Sequence, residues 1–391
     1  MGDKENEKKQ ATDTRTLAIF SAASFLNDMG SDMVFSVWPV FVRSLTGADM
    51  AMLGLIDGLG EATLSFSQAV SGYVSDRIGK RKLFVWGGYL LSAFSRIGYA
   101  VSTSFHMLIP FKFLDRLGKI RSAPRDAMIA DSVPHERRGQ AFGVLRMMDN
   151  LGAVVGILLA IFLFTFMKES YRTVFILAAI PSCVATALVF FMVRERSTER
   201  IHRGFELRDI SQNLWVFLIG SAIFSLANFS YSFFIVAATT GVFAETAAPL
   251  LYLAFTVSAS AFSLPFGRLI DKIGRKKMLA FAYILFFIVC VGFASAKSKL
   301  VMAALMLLYG AHLGALQPSQ STFVSELAPK KYRASVLGIF KMISGILALP
   351  ASLIAGMLWN AGGISAPFTF SALLTCISLV LLLFVKEQEV G

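Results

Sequence analysis

Twelve apolar stretches, each long enough to cross a bilayer, divide this chain of 391 residues, and no other feature limits its fold so strongly. Crossing the hydrocarbon takes about 20 residues of helix. The stretches lie at 17–43, 50–74, 83–104, 106–132, 140–167 and 172–193, then at 213–238, 247–270, 278–296, 299–324, 334–360 and 365–385. In lipid a backbone amide finds no water, so such a chain satisfies its amides within helices. Composition agrees. At 55% hydrophobic, 16% charged and a mean hydropathy of +0.65, the chain has too few polar residues to clothe a soluble protein. The expected fold class is an all-α membrane protein of twelve transmembrane helices.

The net charge of +12 and the pI of 9.7 do not indicate nucleic acid, because the basic residues lie between apolar stretches rather than along one face. They mark topology instead. Lys4, Lys8, Lys9 and Arg15 precede the first stretch, and Arg77–Lys82, Arg137, Arg138, the arginines of 194–208, Lys272–Lys277 and Lys330–Arg333 follow the even-numbered ones. The opposite connections hold only Arg43, Lys168, Arg172, Lys297 and Lys299, so both termini are expected in the cytoplasm. The first stretch is expected to be a span rather than a signal peptide, since it is too long and no small-residue cleavage site follows it. Cys183, Cys290 and Cys376 stand far apart inside apolar stretches, and four scattered histidines complete a set that offers no metal or disulfide site.

The chain also repeats itself. Gly72-Tyr-Val-Ser-Asp-Arg-Ile-Gly-Lys-Arg-Lys82 returns as Gly267-Arg-Leu-Ile-Asp-Lys-Ile-Gly-Arg-Lys-Lys277, an offset of 195 residues. Pro134, Arg138 and Gly143 return at the same offset as Pro329, Arg333 and Gly338. Two motifs sharing one offset indicate a tandem duplication.

Twelve spans, two homologous halves and these paired loops resemble the major facilitator superfamily, over nearly the whole chain. The resemblance implies two pseudo-symmetric six-helix bundles, 17–193 and 213–386, joined by a cytoplasmic loop at 194–212 and preceded by a cytoplasmic tail at 1–16. It implies secondary active transport of a small molecule by alternating access, in a plasma (inner) membrane, by a monomer without cofactors. The repeated loops become gates: Gly72, Asp76, Arg77, Gly79, Arg81 and Arg138 in one half, Gly267, Asp271, Gly274 and Arg333 in the other. The glycines would let helices approach closely. The aspartates would accept hydrogen bonds from a helix N-terminus or a loop arginine in one state and lose them in the other.

The halves are unequal in charge. Span four carries Lys112, Asp115, Arg116, Lys119, Arg121, Arg125 and Asp126, whereas span ten has Gly310, Ala311, Gly314, Leu316, Gln320 and Ser321 opposite the last six of these. A charge facing the bilayer centre costs roughly 3 kcal/mol, so span four must face a wet cavity or opposite charges. Helical spacing puts 112, 115, 116, 119 and 126 on one face, lining a cavity, and 121 and 125 on the other, toward span five. Asp126–Arg146 and Arg125–Asp149 are expected as structural pairs. Asn27, Asp115, Arg116, Lys119, Arg96, Asn228, Tyr231, Gln317 and Lys341 are candidates for the substrate cavity. Desolvation favours the protonated form of a carboxylate, the property a proton carrier needs, which nominates Asp28, Asp32, Asp57 and Glu61. Arg96 is a candidate partner for Glu61 or Asp57. Sodium is the alternative coupling ion, for which an i,i+4 acidic pair would need further oxygen ligands.

Two departures from the family pattern stand out: Ile120 replaces a glycine four residues after Arg116, and Ile157 follows Gly152 and Gly156 where antiporters carry proline. The expected function is proton-coupled efflux of a small anionic or zwitterionic organic molecule. An importer, a sodium-coupled symporter and a non-transporting receptor or scramblase are the alternatives. No nucleophile–base set suggests an enzyme.

Overall fold

Each of the twelve stretches is helical in the computed structural model, which describes residues 2–45, 48–78, 80–133, 138–193, 195, 211–240, 242–328 and 333–386. The helices are α1 (Gly2–Ser44), α2 (Met50–Ile78), α3 (Arg81–Val101), α4 (Phe105–Leu117), α5 (Ser122–Ser132), α6 (Arg138–Ile161) and α7 (Tyr171–Met192). They continue with α8 (Gln212–Ala227), α9 (Tyr231–Thr239), α10 (Ala248–Ile273), α11 (Arg275–Ser295), α12 (Lys299–Leu327), α13 (Arg333–Gly362) and α14 (Ser365–Phe384). Among the described residues there is no strand element. Among the described residues eight spans, from Val144–Phe164 onward, are long and apolar enough to cross a membrane by composition alone. The first four hold most of the intramembrane charges and are less apolar. Residues 2–16, expected as a cytoplasmic tail, are helical and continuous with the first span.

Two spans are broken. In span four a 3-10 turn, Gly118–Arg121, separates α4 from α5, just ahead of Pro124, which has no N–H to give the carbonyl of Ile120. In span seven α8 ends at Ala227 and α9 begins at Tyr231, with Ser230 as the N-cap whose hydroxyl accepts from the amide of Ser232.

The chain forms two compact units, residues 1–37 with 66–202 and residues 38–65 with 203–391, so the boundaries fall inside α1 and α2. Their interiors differ in chemistry. The first buries an aliphatic cluster around Ile19, Val85, Ile129, Leu145 and Val189, beside buried Arg96, Lys112, Arg121 and Arg125. The second is aromatic: Phe224 stacks on Tyr283 at 3.9 Å between centroids, and Phe234 stacks on Tyr309 at 4.3 Å. Large apolar side chains such as Phe94, Ile180, Phe191, Leu264 and Leu383 are exposed on both units, as a lipid solvent requires.

Close helix crossings depend on glycine. A Cβ at Gly152 or Gly156 of α6 would lie within 3.0 Å of the α1 backbone at Phe25 and Met29, so this G-x-x-x-G stripe sets the α1–α6 approach.

Candidate functional site

Span four meets α3 at a pair of glycines. A Cβ on Gly88 or Gly118 would lie within 3.0 Å of the other residue's carbonyl oxygen, and the approach brings the 3-10 turn against α3. Arg121, on that turn, donates to the Gly118 carbonyl at 2.8 Å and to Ser92 Oγ at 3.3 Å, and its guanidinium lies 4.8 Å from the centre of the Tyr89 ring. One turn on, Arg125 donates to Ser24 Oγ at 2.6 Å and pairs with Asp126 at 2.9 Å. The face carrying Arg121 and Arg125, expected to pack against span five, therefore packs mainly on α1 and α3. The 3-10 turn is the reason, since it adds rotation that regular helical spacing does not include.

Span five does reach this face at its edge. Asp149 lies 3.8 Å from Arg125 and 3.4 Å from Arg146, and Asp126 lies 3.8 Å from Arg146. The four residues form one cluster, but Arg146 keeps 64% of its side-chain surface exposed while Arg125 keeps 7%.

Above the cluster the charges face α1. Asp28, half-buried, accepts from Asn27 Nδ2 at 3.1 Å and lies 3.9 Å from Arg121. Arg116 lies over the Phe35 ring at 4.7 Å and Lys112 approaches the same ring at 5.8 Å, two cations one helical turn apart at one aromatic side chain. Asp115 is buried beside them, and Asp32 is half-buried one turn from Asp28. Lys119 is half-buried, and among the described residues it has neither an ion pair within 4.0 Å nor a hydrogen bond.

Arg96 differs from its expected role. Its guanidinium donates to Asn27 O at 3.1 Å, Asn27 Oδ1 at 3.4 Å, Ser31 Oγ at 2.7 Å, Ala178 O at 2.9 Å and Ser182 Oγ. Neither Glu61 nor Asp57 is among these partners. The side chain is 1% exposed and ties α1, α3 and α7 together through neutral acceptors, so it is a staple of the first unit.

Asp57 belongs to the second unit. It is 5% exposed and accepts from Trp38 Nε1 at 2.8 Å, Ser230 Oγ at 2.7 Å and Ser232 Oγ. The last two stand at the first turn of α9, the half-helix after the break in span seven. Glu61, one turn further along α2, is half-buried. Asn228 lies at the break, and Tyr231 packs its ring 5.3 Å from Tyr252 and 5.8 Å from Phe255. Gln317 and Lys341 are exposed.

The gate motifs are described in part. Gly79 and the side chains at 72, 76, 138, 271 and 333 lie outside the described residues. Arg77 is exposed at the end of α2, whereas Arg81 is buried and bonds Asp131 at 2.6 Å. In the other half Arg275 meets Glu326 at 2.6 Å, and Glu326 stands 195 residues after Asp131. Gly274 adopts φ +94° between α10 and α11, a conformation that favours glycine. At Gly267 the expected close approach is absent: a Cβ there would meet no atom within 4 Å among the described residues. Glu195, beyond α7, accepts from the amides of Arg81 at 2.9 Å and Lys82 at 3.1 Å and so caps α3.

Sequence reading missed Ser24, Ser31, Phe35, Trp38, Ser182, Ser230 and Ser232. The serines carried a weak signal, being small polar residues inside apolar spans. Trp38 followed by Pro39 gave none that distinguishes it from packing.

Twelve helical spans, with charges buried in one unit and aromatic rings in the other, make this an all-α multi-pass membrane protein; that it is a transporter follows from its family. The chain belongs to the Major Facilitator Superfamily, whose family model matches residues 20–244 and 236–390. It is 35% identical to an uncharacterised MFS-type transporter of Methanocaldococcus jannaschii, over 98% of this chain and 97% of the relative. It is 26% identical to the multi-drug resistance efflux pump PmrA of Streptococcus pneumoniae, over 93% of this chain and 96% of the pump. Its fold is similar to that of the nucleoside transporter NupG, with a TM-score of 0.75 at 14% identity, covering 94% of this chain and 97% of that one.

Proposed function

We propose that this protein exports a small anionic or zwitterionic organic molecule by alternating access, driven by protons, from a plasma membrane in which both termini are cytoplasmic. The observation that carries the charge of the substrate is Lys119. A half-buried ammonium without an ion pair or hydrogen bond is costly unless water or a ligand reaches it. Arg116 and Lys112, at the Phe35 ring within two turns of it, extend one basic, aromatic-backed wall. A carboxylate or phosphate would meet charge-assisted contacts there. Efflux is favoured by the relative described as a multi-drug resistance efflux pump. The acids on α1 and α2 (Asp28, Asp32, Asp57 and Glu61) are the proton-carrying candidates, with sodium as the alternative ion.

The test is a thermal-shift screen of the purified protein against anionic, zwitterionic and cationic metabolites and drugs, because a ligand that binds only the folded state raises the melting temperature. Anions or zwitterions should stabilise the wild type. Lys119→Gln should weaken binding of the best of them about thirtyfold, corresponding to about 2 kcal/mol for one charge-assisted contact, with the unliganded melting temperature unchanged. Stabilisation by cations alone would refute the substrate class.

A further inference from the structure

We propose that Asn27 is a positioning residue that holds the Asp28 carboxylate off Lys119 and so keeps that ammonium available to an anion. The inference rests on the anion-binding wall proposed above and adds what keeps the protein's own acids from occupying it. Asn27 is 0% exposed, so it acts on a neighbour and not on a ligand. The orientation of its amide follows from its surroundings. Oδ1 accepts from Arg96 Nη2 at 3.4 Å and from Ser182 Oγ at 2.9 Å. A guanidinium can only donate, so the amide oxygen must face it and the amide nitrogen points the other way. There Nδ2 donates to Asp28 Oδ1 at 3.1 Å. Reversing the amide would set N–H against N–H at Arg96 and oxygen against oxygen at Asp28. Arg96 is itself fixed by the Asn27 carbonyl, Ser31 Oγ and the Ala178 carbonyl, so the donor aimed at Asp28 is anchored through α1, α3 and α7.

Lys119 is the cation that Asp28 would otherwise meet. It is the strongest electrostatic neighbour of that carboxylate, ahead of Arg121, which lies 3.9 Å away. Yet among the described residues no carboxylate comes within 4.0 Å of Lys119. A flexible four-carbon stem and a turning carboxylate could close that gap, and an incoming anion would then have to break an ion pair before it could bind. The bond from Asn27 and the pull of Arg121 hold the carboxylate where it is. The other acid that acts on Lys119 is Asp115, four residues earlier in span four, and its effect is weaker than that of Asp28. Asp28 is therefore the carboxylate that must be restrained, and Asn27 is the one neutral side chain that hydrogen-bonds it among the described residues.

The experiment reads the amine itself and needs no substrate, so a wrong positioning residue and a wrong substrate class give different results. The full chain in lipid nanodiscs is treated with trinitrobenzenesulfonate, an anion that arylates a neutral amine with loss of sulfite. Peptide mass spectrometry then gives the labelling of Lys119 relative to that of the exposed Lys297. Lys119 of the wild type should be labelled. Asn27→Leu releases Asp28 toward Lys119 and should lower the labelling about tenfold, the protection given by one charge-assisted contact. Asp28→Glu places a longer carboxylate beyond the reach of Asn27, leaves Arg96 and Ser182 untouched, and should lower it by a similar factor. Adding Asp28→Asn to Asn27→Leu should restore labelling at least to the wild-type level, which a merely disordered site would not do. A wild-type Lys119 that resists the reagent would overturn the proposal. So would wild-type labelling in Asn27→Leu or, if that variant does not fold, in Asp28→Glu. A loss in Asn27→Leu that Asp115→Asn restores in place of Asp28→Asn, or that neither restores, would overturn the assignment to Asp28.

Discussion

Gly30→Ala offers the sharpest test of the packing in the first unit. A Cβ at Gly30 would sit under 3.0 Å from both Arg96 Nη1 and the carbonyl oxygen of Ala178, and 3.1 Å from Arg96 Cζ. In an isolated helix the substitution would help, since alanine is better than glycine by about 0.5–1 kcal/mol. Here the methyl group must push α7 away from α1 or displace a guanidinium that is 1% exposed. Overpacking of that kind costs about 1–3 kcal/mol, and each charged hydrogen bond lost from Arg96 adds about 1.5–3 kcal/mol. The steric effect exceeds the propensity effect, and the expected net loss is about 2–4 kcal/mol. Melting of the detergent-solubilised protein, followed by fluorescence-detected size exclusion, measures it. Gly87→Ala is the matched control, because nothing among the described residues lies within 4 Å of a Cβ at Gly87, and it should melt at or slightly above the wild type. Arg96→Met in the Gly30→Ala background should recover only part of the loss, since the Ala178 carbonyl remains in the way. A Gly30→Ala protein that melts with Gly87→Ala would refute the Arg96 staple.

The charge cluster on α5 and α6 should respond unequally. Arg125→Gln removes a buried partner of Ser24, Asp126 and Asp149 and should cost about 2 kcal/mol or more, whereas the exposed Arg146→Gln should cost under about 1 kcal/mol; paired melting curves decide. Glu195→Gln weakens the cap on α3 and should cost about 1 kcal/mol, read as faster amide exchange confined to the first turn of that helix.

The sequence alone determined the helical spans, their number and the duplication. Membrane insertion is a local property: a run of apolar side chains over one helix length is favourable in lipid whatever it packs against. The charge asymmetry between spans four and ten was legible for the same reason, as was the association of Arg125, Asp126, Arg146 and Asp149, whose depths follow from position along two neighbouring helices. Tertiary structure decided the partners. Arg96 turned toward Asn27, Ser31 and Ser182 rather than an acid, because Gly30 leaves its guanidinium room between α1 and α7. Asp57 found Trp38 and two serines of a helix whose break no proline or glycine announced. Hydropathy records how deep a residue lies. Which neighbour it meets depends on helix rotation and crossing distance, and these are settled only when the glycine faces pack.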